Sequence, residues 1–536
     1  MKTRRVCAAV LWALLAFAPV PPPALGAQAT QPGVGAAFAR FWSAGGPDEV
    51  ARATEDLARS GVSFAEAYKR LQQGRPYGAQ RTGLVPFTLR TSNGVEHHYA
   101  LTVPETYDPA RKYQARFQLH GGVMMRHDNQ PPASGGAIGA LAGDADQIYI
   151  VPFAWDAAPW WTDDQVLNLR ETLAAVKRLY NLDDNRVVVS GVSDGGTGAY
   201  YIALRDTTPY AAFLPLNGFW GVLANHDLPV DGPLFPGNMR NKPFFIVNGE
   251  RDPLYPADLV NPAIEHYRRM GVSLDYRPQA GAGHNTQWWP RVKDSFEAFV
   301  KDHPRDPLPD KLTWETANPL AFNRAHWLVV DALGATRDDS ALDDPNLVPS
   351  GTRLEFGVHS IGNRVNRVLP GSSAEQIGLK KGDALVRVND ESVHVSIDIE
   401  EVFARITPGS PITLLVARDN APVELSGTYQ PRSVSDPPHP MFDRGVPSGR
   451  VDLIREGNTV TAHTRGVAGL TLLLSPDRFD LSKPVTVVVN GRTAFRGRVE
   501  ARLPTLLKWA AIDGDRTMLF AAELHVALAA AKRSAD

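Results

Sequence analysis

The chain has 536 residues, more than one hydrophobic core usually organises, so we expect about two to four domains. Its 56 Lys and Arg residues nearly balance its 58 Asp and Glu residues, which gives a formal net charge of −2. This balance argues against the strongly basic surface that electrostatic binding to nucleic acid requires, so no nucleic-acid partner is expected.

The first 29 residues are organised like a secretory signal peptide. Basic residues at positions 2, 4 and 5 precede an apolar run over residues 6–20, and small residues follow it. The run is too short for a stable transmembrane helix, although an uncleaved anchor is the alternative. The one cysteine, Cys7, lies in this segment, so the mature chain would contain no thiol. We expect a secreted or periplasmic protein without membrane attachment after cleavage.

The next 280 residues or so begin with helices and continue with alternating strands and helices. Residues 34–75 have helical periodicity, and SNG at residues 92–94 predicts a hairpin turn. The predicted strands are RFQLHGG, QIYIVPF, RVVVSG and PFFIVNG, and the predicted helices are QVLNLRETLAAVKRLY and GGTGAYYIALRD. Short buried strands that alternate with helices predict an α/β domain with a mostly parallel sheet.

Beyond residue 305 the chain is mostly strand-like. Residues 311–333 are predicted to form two strands, which cannot bury a face alone, so we expect them to complete the sheets formed by residues 450–526. That arrangement predicts a sandwich-like β-rich domain with the block 350–430 inserted into it. The predicted organisation is a signal peptide (1–29), an N-terminal helical segment (30–79), an α/β domain (80–305), the first strands of the β-rich domain (306–349), the inserted block (350–430) and the remainder of the β-rich domain (431–536).

The stretch VVVSGVSDGGTG, residues 187–198, places Ser193 in a G-x-S-x-G motif. Five residues are a weak signal alone, but a buried-strand pattern precedes the motif and a helical pattern follows it. A serine on a tight strand-to-helix turn is exposed as a nucleophile, and its small neighbours permit the turn. We therefore predict that Ser193 is a nucleophile.

A serine hydroxyl needs a base, and the base needs an orienting acid. Asp252 follows PFFIVNG, which is predicted as the next apolar strand after the serine, and His284 lies on a glycine-rich loop after another strand. Each residue thus follows a predicted strand, where open α/β sheets place their sites. Glu250 and Asp258 compete with Asp252, but the Asp-Pro turn favours Asp252.

His120-Gly121-Gly122 directly follows a predicted strand upstream of the serine. Glycines there let backbone N–H groups point at a developing oxyanion, and the N–H of Asp194 would be a second donor. These features predict an oxyanion hole around Gly121, Gly122 and Asp194.

Residues 80–305 resemble secreted α/β-hydrolases of the esterase and polyhydroxybutyrate-depolymerase kind, which overlap with prolyl-oligopeptidase-like peptidases. The resemblance rests on VPETYDPARKYQARFQLHGG, VPFAWDAAPWW, GVSDGGTGAYY and GAGHNTQWW. It implies a Ser193–His284–Asp252 triad beside the oxyanion hole. The chain departs from extracellular depolymerases in lacking stabilising cysteines and a recognisable polymer-binding module, so a polymeric ester is a weaker prediction than a small one.

Several aromatic side chains lie in loops that are expected to approach the site. They are candidates for a substrate pocket, with an equally good alternative in which they cover the hydrophobic core: Trp155, Trp160, Trp161, Tyr255 and Trp288. No HExxH, CxxC or clustered His/Asp spacing is present, so we predict no metal and no cofactor.

The inserted block resembles a PDZ domain of the kind found in periplasmic proteases. The most specific stretch is RVLPGSSAEQIGLKKGDALVRVNDESV, together with LEFGVHS and SPITLLVARDNAPVEL. The resemblance implies a carboxylate-binding loop and a strand edge for a peptide or protein C-terminus. That loop would be formed by Leu354, Glu355, Phe356 and Gly357. The alternatives are that the block braces the β-rich domain or that a segment of this chain fills its groove.

Together these features predict a serine hydrolase that cleaves carboxylic esters through an acyl-enzyme. A peptidase is the alternative among enzymes, because PDZ domains often accompany proteases. A PDZ-based scaffold with an inactive hydrolase domain is the alternative among non-enzymes.

Overall fold

The computed structural model describes residues 33–128, 146–226, 228–334, 347–348, 351–361, 363–393, 405–436, 439–442 and 446–528, together with 399, 402 and 403. The predicted signal peptide lies outside the described residues. The chain divides into two compact units, one ending at Val62 and one beginning at Ser63. In the described part of the chain, no helix has the length and apolar character to cross a membrane.

Two helices form the described part of the first unit, α1 (Val34–Ser43) and α2 (Pro47–Arg59). The break between them falls at Gly45-Gly46, and α2 begins with a proline at its first position, where the missing N–H has no partner to lose. The second unit opens with α3 (Phe64–Gln73), which is capped by the Ser63 side chain accepting from the Glu66 N–H.

An eight-stranded sheet organises the next part of the second unit. Its strands are β1 (Gly83–Arg90), β2 (Glu96–Val103), β3 (Tyr113–Leu119), β4 (Gln147–Pro152), β5 (Leu182–Val192), β6 (Ala212–Leu216), β7 (Phe244–Gly249) and β8 (Leu274–Gln279). They lie in the order β1-β2-β4-β3-β5-β6-β7-β8. β1, β2 and β4 pair antiparallel, and all pairs from β4 to β8 are parallel.

Helices α4 (Asp163–Leu179), α5 (Asp194–Arg205) and α6 (Ala257–Arg269) connect parallel strands of this sheet, and α7 (Trp289–Asp302) follows its last strand. Short 3₁₀ helices span Val123–Met125, Trp220–Ala224 and Pro236–Asn241. Strands β4, β6 and β7 are buried along their whole length, as is typical of parallel strands covered on both faces. This strand order with its β4-β3 crossover is that of the α/β-hydrolase fold.

One strand of the sheet was missing from the sequence prediction. β6 lies between α5 and β7, so PFFIVNG is not the first strand after the serine helix. β6 has five residues and contains Pro215, and a proline argues against a central strand because it donates no ladder hydrogen bond. In the fold, Pro215 lies opposite Gly191 of the parallel neighbour.

The chain then forms β9 (Lys311–Thr316), β10 (Arg324–Ala325) and β11 (Leu328–Leu333) and enters the inserted block. The elements of the block are β12 (Leu347–Val348), β13 (Gly351–Glu355), β14 (Val358–Ile361), β15 (Arg364–Val368), α8 (Ser373–Ile377), β16 (Ala384–Val388), β17 (Glu391–Ser392), β18 (Pro411–Arg418), β19 (Ala421–Thr428), β20 (Arg432–Asp436) and β21 (His439–Pro440). Its main sheet has the order β14-β15-β16-β18-β19, around a core of its own.

The entry and exit of the block run side by side, because β12 pairs with β21 and β13 pairs with β20. The exit segment therefore contains two short paired strands, β20 and β21. Just beyond it, Met441 and Phe442 are buried in the core of the α/β domain, where the Phe442 ring meets Trp220 edge-to-face at 5.8 Å.

The remaining elements are β22 (Gly449–Glu456), β23 (Thr459–Arg465), β24 (Val467–Leu474), β25 (Val485–Val489), β26 (Arg492–Gly497), α9 (Leu503–Asp513) and β27 (Ala522–Ala527). They form a five-stranded sheet, β26-β25-β23-β22-β9, and a four-stranded sheet, β10-β11-β24-β27, which share one hydrophobic core. β9 and β11 thus lie in the sheets of residues 449–527, as their inability to bury a face alone suggested. The helix α9 had no counterpart in the sequence prediction.

Candidate active site

Ser193 stands on a sharp turn between β5 and α5. Its φ is +58°, a value that a non-glycine residue adopts only where the surrounding fold imposes it. The turn requires small neighbours: a Cβ on Gly191 would lie 2.1 Å from the Gly195 carbonyl oxygen, and one on Gly195 would lie 2.1 Å from the Leu119 oxygen. The glycines of the motif are therefore steric requirements of the strand-to-helix turn.

His284 joins Ser193 to Asp252 in one hydrogen-bonded chain. The His284 Nε2 lies 2.8 Å from the Ser193 Oγ, and its Nδ1 lies 2.7 Å from the Asp252 Oδ2. A carboxylate accepts only, so the Nδ1 carries the proton and the Nε2 is free to accept from the serine hydroxyl. An imidazole held in this way can take the serine proton and return it to a leaving group.

Asp252 is itself fixed by the turn after β7. Its side chain is fully buried, and its Oδ1 accepts from the N–H groups of Leu254 (2.8 Å) and Tyr255 (3.0 Å). Its competitor Glu250 instead accepts from the Gly281 N–H. These bonds satisfy a carboxylate that would otherwise be costly to bury, and they leave Oδ2 for the imidazole.

The segment His120–Val123, hereafter the glycine loop, lies against the serine turn. A Cβ on Gly121 would be 2.9 Å from the Ser193 Cβ and 3.4 Å from its Oγ, so this residue directly adjoins the nucleophile. The role of its N–H groups as oxyanion donors stays a prediction. The Asp194 carboxylate also faces this loop, since its Oδ2 accepts from the Val123 N–H at 2.7 Å.

The His120 ring connects the Gly121 peptide to the backbone of Ala154 through two hydrogen bonds. Its Nε2 accepts from the Ala154 N–H at 3.1 Å, so its Nδ1 carries the proton and donates to the Gly121 carbonyl oxygen at 2.9 Å. Burial lowers the pKa of His120 to about 4, which keeps the ring neutral and this pairing intact at neutral pH.

The five aromatic candidates have different positions. Trp160, Trp161 and Trp288 are almost completely buried in the hydrophobic cores, which favours the alternative that they cover the core rather than a substrate. Trp155 is half-buried. Tyr255 contacts the hydrogen-bonded chain, with its ring edge-on to His284 at 5.8 Å between ring centroids, and burial raises its pKa.

Asn217 was not singled out from the sequence although it lies beside the site. It is buried at the end of β6 with a φ of +47°, and its Nδ2 donates to the Asn285 carbonyl oxygen at 3.0 Å. That bond holds the backbone next to His284. The Asn-Gly pair after an apolar segment was the available signal, and it was missed together with the strand.

The four residues predicted to form the carboxylate-binding loop of the inserted block lie in a strand and in the turn that follows it. Leu354 and Glu355 belong to strand β13, and Glu355 forms an ion pair with Arg432 at 2.7 Å. Leu354 and Glu355 lie opposite Ser433 and Arg432 of β20, and the carboxylate-binding role of the four residues stays a prediction. Phe356, which is buried, and Gly357, with a φ of +96°, form the turn into β14.

No group of three His, Cys, Asp or Glu side chains that could hold a metal ion occurs among the described residues. The arrangement around Ser193 offers a nucleophile, a base and an orienting acid, which are the groups of acyl transfer.

Comparison with known proteins gives a family match in one part of the chain. Residues 364–418 match the model of the PDZ domain. Similar solved structures include a thermostable esterase, with 20% identity and a TM-score of 0.33 over 41% of this chain and 63% of that one. Puromycin hydrolase is similar with 18% identity and a TM-score of 0.33 over 41% of this chain and 38% of that one. A ferulic acid esterase from the anaerobic fungus Anaeromyces mucronatus is also similar, with 15% identity and a TM-score of 0.33 over 43% of this chain and 94% of that one.

The match thus spans less than two thirds of the chains of the thermostable esterase and of puromycin hydrolase. From its strand order and its family match, the chain combines an α/β-hydrolase-fold domain with a PDZ domain.

Proposed function

We propose that this protein is a serine hydrolase that cleaves carboxylic esters through an acyl-enzyme on Ser193. The observation that carries the proposal is the hydrogen-bonded chain from Ser193 Oγ through His284 to the buried Asp252. The strained turn at Ser193 supports the proposal as well, because it presents the hydroxyl at the carboxyl end of β5.

The reaction has two acyl-transfer steps. Ser193 attacks the ester carbonyl while His284 takes the hydroxyl proton, and Asp252 stabilises the imidazolium that results. Collapse of the tetrahedral intermediate releases the alcohol, which takes the proton from His284. Water then attacks the acyl-enzyme with His284 again as base, and His284 returns this proton to the Ser193 oxygen as the second tetrahedral intermediate collapses and releases the carboxylic acid. In both steps the oxyanion is stabilised by backbone N–H groups of the glycine loop and of Asp194.

A fluorophosphonate probe tests the assignment of the nucleophile. The wild type should be labelled and should hydrolyse short and aryl esters, and Ser193→Ala should lose both properties. Ser190→Ala is the matched control, because Ser190 lies three residues earlier, in β5, but is buried and donates to the Leu214 carbonyl oxygen. Equal labelling of wild type and Ser193→Ala would refute the proposal, and a wild type without label or turnover would favour the scaffold alternative.

A peptidase of the prolyl-oligopeptidase-like kind is the second candidate, and the PDZ domain at residues 364–418 favours it. Cleavage of a peptide bond uses the same nucleophile, but the amine must be protonated by the general acid before it can leave. Incubating the wild type with a proteome-derived peptide mixture and with aryl esters separates the two. New peptide termini that disappear in Ser193→Ala would assign a peptidase.

We propose in addition that the PDZ domain binds the C-terminus of a peptide or protein. β14 is the end strand of the main sheet of the domain, which leaves an edge for an added strand beside the Phe356-Gly357 turn. Fluorescence anisotropy should detect binding of peptides with a free C-terminal carboxylate and much weaker binding of their amidated forms. Equal binding of the two forms would refute carboxylate recognition.

The location proposed is outside the cytoplasm, after cleavage of residues 1–29. N-terminal sequencing of the protein secreted or exported by a bacterial host should begin near residue 30. An intact first residue in the exported protein would contradict cleavage.

A further inference from the structure

Asp194 combines two features that a typical surface residue of a helix lacks. It is the first residue of α5, directly after the nucleophile, and its carboxylate leaves the helix to accept the Val123 N–H at 2.7 Å. Val123 is completely buried and begins the 3₁₀ helix Val123–Met125, so the bond is made to a fixed end of the glycine loop.

The glycine loop is short and contains residues with little conformational preference. Gly122 has a φ of +65°, in the left-handed region, and a glycine there has more alternative conformations than any other residue. Two side chains limit that freedom. His120 holds the Gly121 carbonyl oxygen on one side, and Asp194 holds the Val123 N–H on the other. The peptide groups beside Ser193 lie between these two anchors.

A negative charge at this position has an electrostatic cost. Near a forming oxyanion an ionised carboxylate opposes the charge that develops, so its presence next to the serine needs a compensating role. Burial raises the pKa of Asp194, while the N–H groups of Val123 and Gly122 and the neighbouring His284 favour its ionised form.

We propose that the Asp194 side chain is a positioning residue, which holds the glycine loop in the conformation that binds the oxyanion. The proposal rests on the proposed function, because an oxyanion forms only if Ser193 attacks a carbonyl. Asp194 acts through the loop and not on the substrate, and its main effect is on the transition state rather than on substrate binding.

Paired ester substrates distinguish this role from a general structural one. A thionoester differs from its oxoester only in having sulfur in place of the carbonyl oxygen. Sulfur accepts hydrogen bonds poorly, so the N–H groups of the glycine loop stabilise its transition state only weakly. Both would be assayed with wild type, Asp194→Ala, Asp194→Asn and Asp194→Ser. Alanine and serine remove the reach to Val123, whereas asparagine keeps one carbonyl oxygen as acceptor. The control is Asp164→Ala, an acidic residue in the first turn of α4 that accepts from Asn93 instead.

In Asp194→Ala and Asp194→Ser, kcat for the oxoester should fall about 10- to 100-fold with KM within about threefold, since a transition-state interaction is lost. The oxoester-to-thionoester ratio of kcat/KM should fall about tenfold in both, and remain within about twofold of wild type in Asp194→Asn and Asp164→Ala.

An unchanged ratio in folded Asp194→Ala and Asp194→Ser would overturn the proposal, as would equal losses on both substrates. The serine variant provides the answer if the alanine variant does not fold. A wild type that neither hydrolyses the oxoester nor reacts with fluorophosphonate would instead overturn the proposed function, and this inference with it.

Discussion

Two glycines next to the catalytic groups should respond very differently to one added methyl group. Gly121 adjoins Ser193, and Gly283 precedes His284. Neither requires a positive φ, so alanine is allowed by the backbone at both positions. A Cβ at position 121 would lie 2.9 Å from the Ser193 Cβ and 3.1 Å from the Val192 oxygen. At position 283 the nearest atoms would be at 3.5 and 3.8 Å, which is ordinary contact.

The size of the effect follows from these distances. Ordinary contact begins near 3.4 Å, so Gly121→Ala requires the glycine loop and the serine to separate by about 0.5 Å. A displacement of that order between a nucleophile and its oxyanion donors costs about 10- to 100-fold in rate, or about 1.4–2.8 kcal/mol of transition-state stabilisation. Gly283→Ala requires no displacement and should remain within about threefold of wild type.

The assay is steady-state hydrolysis of an aryl ester, with thermal unfolding as the control for folding. Gly121→Ala should lose kcat/KM while its Tm stays within a few degrees of wild type, because the strain is confined to a loop. Equal activity of Gly121→Ala and Gly283→Ala would refute the reasoning, since it would mean that the glycine loop moves away without affecting the reaction.

Three further variants or conditions test other parts of the structure. Asp252→Asn should lower kcat about 10³- to 10⁴-fold in a folded protein, because the amide does not favour the His284 tautomer that accepts from serine; an activity above a tenth of wild type would contradict that role. Burial lowers the pKa of His97 to about 4 from 6.5. The unfolded chain therefore binds the extra proton, and stability in urea should fall by up to about 3 kcal/mol between pH 6.5 and 4, with a shallower dependence in His97→Leu. Phe442→Ala should lower the free energy of unfolding by about 3–5 kcal/mol, because the ring is buried against Trp220; urea denaturation measures this, and a loss below about 1 kcal/mol would show that the contact contributes little.

The segment that leaves the inserted PDZ domain packs into the core of the α/β domain. The segment after β21 buries Phe442 beside Trp220, and the adjacent Phe219 ring meets Tyr255, which itself contacts His284. The tethering of the block is therefore a packing interaction with the domain that carries the site, and not only a covalent connection.

Local sequence determined the serine turn and the alternating strands and helices. In G-V-S-D-G after VVVS, the reason for Gly191 is local, since it approaches the Gly195 carbonyl oxygen within the turn, whereas Gly195 approaches the Leu119 carbonyl oxygen at the end of β3. The Asn490-Gly491 turn was equally predictable, because both residues adopt positive φ in the hairpin between β25 and β26. Such features depend on a few consecutive residues and can be predicted without knowledge of the fold.

Where the sequence prediction failed, long-range packing decided the outcome. β6 contains Pro215 and becomes a strand because parallel neighbours pair on both sides of it. The apolar residues of α9 are not confined to one face, so periodicity alone does not reveal it. The sequence left open whether Trp160 and Trp288 line a pocket or cover the core, and the tertiary structure buries both in hydrophobic cores.

The sequence alone determined that the chain contains a serine, an acid and a histidine in the order and local context of a hydrolase, together with a PDZ-like block. Only the tertiary structure decided that Ser193, His284 and Asp252 meet within hydrogen-bond distance, and that Asp194 reaches the glycine loop. The physical reason is separation along the chain. Bonded partners are up to 91 positions apart in the chain, and their meeting depends on how the parallel sheet brings the strand ends together rather than on any local preference.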